Sequence, residues 1–151
     1  MEISQFFNKI TQQIDDIKSA KEEKSETSKA NLCFMAELVH KITPLLETYR
    51  QSLEDRGILA TLKINGRSFK FMMYYVNGNH SGFGIEQDSR SGSFQLVSYF
   101  SGTDGRDMKS ISKEVISKSN WSDDDFETFI QGCISDFLSR AMQHGGYIQA
   151  K

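Results

Sequence analysis

Three histidines, two cysteines and a run of acids are the residues in this chain whose types lend themselves to chemistry, and their spacing decides how much. His40, His80 and His144 do not share a helix face at i,i+4, and none stands at ligand-like spacing from a cysteine or glutamate, so a zinc site has no support. Asp123, Asp124, Asp125 and Glu127 crowd the first turn of a helix, where the dipole accounts for them; a hard-cation loop would space its carboxylates around a glycine bend. Gly82-Phe83-Gly84 and Ser89 to Ser93 hold the amides and hydroxyls that cradle phosphates, but both lie between strands and do not lead into a helix N-terminus, so they read as turns. Asp104 and Asp107 sit three apart in a loop as a candidate acid pair, and His80 lies in a glycine- and asparagine-rich turn of the kind that carries functional side chains. No catalytic residue, metal or cofactor is expected.

Cys33 and Cys133 are a hundred residues apart, each within a helical apolar pattern, which describes inert buried thiols in a reducing compartment. No basic and apolar leader and no run of 18 apolar residues occurs, so a cytoplasmic, non-membrane protein is expected, and the sequons at Asn79 and Asn120 are read as accidental. The net charge of -2 conceals a slightly basic middle, with 8 basic against 5 acidic side chains over 58–118. That field is too weak to argue for nucleic acid, which needs a concentrated basic stripe.

The elements that must position these residues are legible from periodicity. Ile3, Phe7, Ile10, Ile14 and Ile17 alternate steps of four and three, the a/d seam of a helix that packs along another helix. The seam resumes with Leu32, Met35, Val39, Ile42, Leu46, Tyr49 and Leu53. Fifteen residues separate Ile17 from Leu32, one more than two heptads, so an unbroken helix would turn the second stripe about 100° from the first. This slip, with the wholly polar stretch 21–29, predicts a helical hairpin with a loop near Ser25 to Ser28. Pro44 predicts a kink unless Thr43 caps a new start.

Strands follow at 58–64, 68–76, 83–88 and 93–100, the first pair joined at Asn65-Gly66, giving a four-strand antiparallel meander. Met108, Ile111 and Val115 are read as a short helix, with a fifth strand as the alternative. The last helix has Ser122 as N-cap, Trp121 and Phe126 as a hydrophobic staple, and Gly145-Gly146 as its stop. The fold class is therefore α+β in a single domain, with N-terminal helices over 1–57, a sheet over 58–100 and C-terminal helices over 108–144.

The sheet is apolar on both faces, since strand two carries Phe69, Phe71, Met73 and Tyr75 opposite Met72, Tyr74 and Val76, while strand four sets Val97 and Tyr99 against Phe94, Leu96 and Phe100. A free face would be polar, so helices, a second copy of the chain or a ligand must cover it. The candidate ligand or partner surface is Met72, Tyr74, His80, Val97, Tyr99 and Asp104. The leading expectation is a non-enzymatic interaction or assembly module that is a homodimer or higher oligomer and holds itself or another protein. The alternatives are a small-molecule pocket between sheet and last helix, lined by Tyr74, Tyr99, His80 and Asp104, and a single-strand nucleic-acid platform built on Tyr74, Tyr75 and Tyr99 with Lys63, Arg67 and Lys70. No motif residue ties the chain to a known family.

Overall fold

The computed structural model describes residues 3–102 and 104–147, with side chains given outside 20–27. Two compact units are formed, Met1–Cys33 and Phe34–Lys151. The class is α+β, with α1 (Ile3–Asp55), β1 (Ala60–Asn65), β2 (Ser68–Tyr74), β3 (His80–Gln87), β4 (Phe94–Ser101), β5 (Asp107–Lys113), α2 (Asp123–Arg140) and a short 3-10 helix (Ala141–His144).

The expected hairpin of N-terminal helices is corrected. The backbone is helical from Ile3 to Asp55, through the polar stretch 21–29 and through Pro44. Lysine and glutamate are good helix formers, so a run without apolar residues lacks a buried face but not the backbone conformation. Thr43 donates its hydroxyl to the Val39 carbonyl at 2.6 Å instead of capping a new helix.

In the second unit the α1 stripe Met35, Val39, Ile42, Leu46 and Leu53 is buried as expected, and Leu38 joins it. This part of α1 lies beside α2, and both run in the same direction: Lys41 bonds Asp123 at 2.7 Å and Tyr49 accepts from Gln131 at 3.1 Å, a constant offset of 82 residues. Cys33, by contrast, is exposed, so only Cys133 is the buried thiol that the pattern predicts.

The sheet is a meander in the order β1-β2-β3-β4-β5, antiparallel throughout, with one strand more than expected. Where a C-terminal helix is read at 108–117, the backbone pairs with β4 as β5: Met108 lies opposite Phe100, and Ile111 opposite Val97. The spacing of three between Met108 and Ile111, which suggests a helix, puts them on opposite sides of this strand. Both are about half exposed, so no buried face imposed the period of two that marks a strand. β3 also begins earlier than expected, because His80 pairs with Tyr74 and so belongs to the strand instead of the turn.

Gly66 takes the first position of the two-residue β1–β2 loop with φ 62°, a conformation glycine enters without steric cost. α2 starts as its sequence dictates. The Asp125 amide donates to the Ser122 hydroxyl, and Trp121 packs on Phe126 with ring centroids 5.0 Å apart. Phe126, Ile130, Cys133 and Phe137 are its buried face, seated on one side of the sheet through Phe69–Phe126 and Phe83–Phe129 edge contacts.

Candidate functional site

The two sheet faces are closed by different means. Phe69, Phe71, Met73, Phe83 and Ile85 form the face under α2, with Phe71 and Phe83 stacked at 4.8 Å. On the opposite face, Met72 and Val97 are also buried, and the reason lies in β3. Gly82 stands between Met72 and Tyr99, and Gly84 between Lys70 and Val97. Where β3 carries glycine, at 82 and 84, side chains of β2 and β4 fold over it. The Lys70 ammonium lies 4.6 Å from the centre of the Tyr99 ring, and the Tyr99 hydroxyl donates to Glu86 at 2.7 Å. Lys109 on β5 bonds the other oxygen of Glu86.

Lys70, Glu86 and Lys109 on this face are accordingly held by partners. Burial pushes the Glu86 carboxyl up, but hydrogen bonds from Lys109 and Tyr99, with the Lys109 and Lys70 charges, outweigh it and hold the group below the ordinary carboxylate range. Tyr99 is raised, first by burial and then by its bond to Glu86. An open groove of about 540 Å³ at the β1–β2 end is lined by Lys63, Arg67, Lys70, Glu86, Gln87 and Tyr99, among others.

Five of the six candidate surface residues therefore meet on one face: Met72, Tyr74, His80, Val97 and Tyr99. Asp104 does not join them. It sits in the β4–β5 turn, accepting from the Arg106 amide at 3.1 Å and pairing with its guanidinium at 3.4 Å. Asp107 turns instead to His80 at 3.3 Å and to the Ser101 hydroxyl at 3.4 Å, so the two aspartates have separate partners. Ser101, His80 and Asp107 are thus adjacent, but their connections are wrong for nucleophilic catalysis. The Ser101 hydroxyl donates to Asp107 and accepts from the His80 backbone amide, so the imidazole does not activate it.

The small pocket between sheet and α2, about 200 Å³, is lined by Ser81, Ser98, Ser110, Cys133, Asp136 and Arg140 with Gly82, Tyr99 and Phe100; Tyr74, His80 and Asp104 are not among its walls. Tyr75 does not share a face with Tyr74 and Tyr99. It is buried, donates to the Phe137 carbonyl at 3.0 Å, and stacks between Phe137 and His144. His144 is the histidine whose surroundings the sequence does not reveal: its imidazole is buried, and its Nδ1 faces the side-chain amides of Asn77 and Asn79. Among the described residues, no three His, Cys, Asp or Glu side chains are grouped to hold a metal, and no helix is long and apolar enough to cross a membrane.

Two apolar surfaces remain. Between α1 and α2 of the second unit runs a groove of about 480 Å³ whose walls include Leu45, Tyr49, Leu53, Ile58, Ile134 and Leu138. In the first unit, four of the five seam positions of α1 are open to solvent, Ile3 at 76%, Phe7 at 57%, Ile14 at 47% and Ile17 at 68%, with Phe6 beside them at 48%, while Ile10 is half-buried. The period of this seam was readable in the sequence, whereas its lack of cover was not. No protein family, curated protein or solved structure matches the chain.

Proposed function

We propose that this chain is a non-enzymatic protein-interaction module that assembles with copies of itself. The observation that carries the reading is the open seam. Five apolar positions in strict a/d register, four of them isoleucine, form a contiguous stripe on α1, and large exposed apolar stripes mark association surfaces. Ser101, His80 and Asp107, which lie near one another, are bonded in an order that leaves the serine unactivated, which favours a binding role at this cluster over a nucleophilic one.

Native mass spectrometry of the purified chain at two concentrations tests this, with the denatured mass as control. The expected result is a species at an integer multiple of 17.2 kDa that grows with concentration. A monomer at both concentrations overturns the reading.

A second reading rests on the groove between α1 and α2, whose walls are mainly apolar and whose volume suits a small apolar ligand. A thermal-shift screen of apolar compounds checks it. A rise in melting temperature that Leu138→Glu abolishes supports ligand binding there, and a flat screen removes it.

A further inference from the structure

The open seam of α1 also carries information on how many copies meet there, an inference that rests on the self-association just proposed. Ile3, Ile10 and Ile17 stand at d and Phe7 and Ile14 at a. β-branched residues at d pack poorly in a two-stranded coil, and isoleucine at both a and d shifts helices towards higher-order bundles. A second feature agrees. Phe6, at the g position, is 48% exposed and sets its ring edge-on to Phe7 with centroids 5.5 Å apart, widening the apolar stripe beyond a narrow two-helix seam.

The charges are placed for a like partner. Lys9, Asp15 and Asp16 occupy b and c, away from the seam, and Lys18 is the one charged residue at the described flanking e and g positions. Copies meeting along this stripe bring no two like charges into direct opposition across a g–e contact, since Lys18 would face Gln13 in a parallel arrangement. We infer that residues 3–17 of three copies of this chain form a three-helix coiled coil. Beyond Ile17 the a and d positions of the same register fall to Lys21, Lys24, Ser28 and Asn31, so the apolar contact is two heptads long. A contact that short predicts an assembly that dissociates on dilution.

The test uses the full chain, by native mass spectrometry and sedimentation equilibrium over a hundredfold range of concentration. The wild type is expected at three times 17.2 kDa at the high end. Ile14→Asp is expected to leave a single chain, with the circular dichroism and melting of the sheet unit retained. The combined variant Ile3→Leu, Ile10→Leu and Ile17→Leu, with Ile14 kept at a, is expected to move the mass from three chains to two while remaining folded. A wild-type dimer or tetramer overturns the three-helix coil but leaves self-association standing; a wild-type monomer overturns both. A trimer that survives Ile14→Asp overturns the assignment to this seam.

Discussion

The imidazole of His144 lies almost flat against the ring of Tyr75, with centroids 4.3 Å apart and planes at 14°, so the residue that ends the 3-10 helix is locked to the end of β2. Phe137 covers the other face of Tyr75 at 4.5 Å, and the Gly146 carbonyl accepts from the Val76 amide. Replacing His144 with alanine removes the stack and the acceptor for Asn77 and Asn79. The expected loss is about 2–3 kcal/mol of stability, read from urea unfolding midpoints. His144→Phe should recover most of it, because it retains the stack.

A second expectation concerns the central strand. A Cβ built on Gly82 falls 2.0 Å from the Phe71 carbonyl oxygen and 2.8 Å from the Met72 sulfur. Backbone cannot retreat from such a contact without parting β2 from β3. Gly82→Ala should therefore cost about 3 kcal/mol or more. Gly132, in the middle of α2 with nothing within 4 Å of its built Cβ, gives the opposite sign. Gly132→Ala should stabilise by about 0.5–1 kcal/mol, since alanine loses less backbone freedom in a helix. Chemical denaturation of the two variants side by side measures both.

Acid sensitivity follows from Glu86. Its folded pKa lies below its unfolded one, so the unfolded chain binds the proton more readily. The stability it contributes is present above the unfolded value, roughly pH 4.3, and is lost as pH falls through the lower folded value. Glu86→Gln should therefore flatten the decline in melting temperature on its acid side while leaving Lys109 and Tyr99 with a neutral partner. A variant whose melting profile from pH 6 to 3 parallels that of the wild type would contradict this assignment.

The thiols should differ sharply. Burial, with the charge of Asp136 adding to it, pushes the Cys133 thiol up to about 12, whereas Cys33 is exposed. An aromatic disulfide reagent at pH 8 should titrate one thiol in the native chain and two in denaturant, and Cys33→Ser should abolish the native reaction. Two rapid equivalents from the folded protein would show that α2 does not shield Cys133.

Local chemistry by itself determined much of this protein. The N-cap at Ser122, the staple of Trp121 on Phe126, the glycine in the first hairpin loop and the buried stripe from Met35 to Leu53 are each specified by neighbours a few residues away. The placing of Met72 with Tyr74 on one side of β2, and of Val97 with Tyr99 on one side of β4, likewise follows from the period of two, whereas His80 joins them because β3 begins earlier than the sequence suggests. Tertiary structure alone decided the rest. β5 is a strand because β4 offers it an edge, although its exposed side chains carry no strand period. The second sheet face is closed by side chains reaching across Gly82 and Gly84, a device visible only once the register sets those glycines between Met72, Tyr99, Lys70 and Val97. His144 becomes a core residue only when the chain returns past Tyr75. Periodicity records which residues can be buried together; which surface covers them depends on contacts between segments distant in sequence.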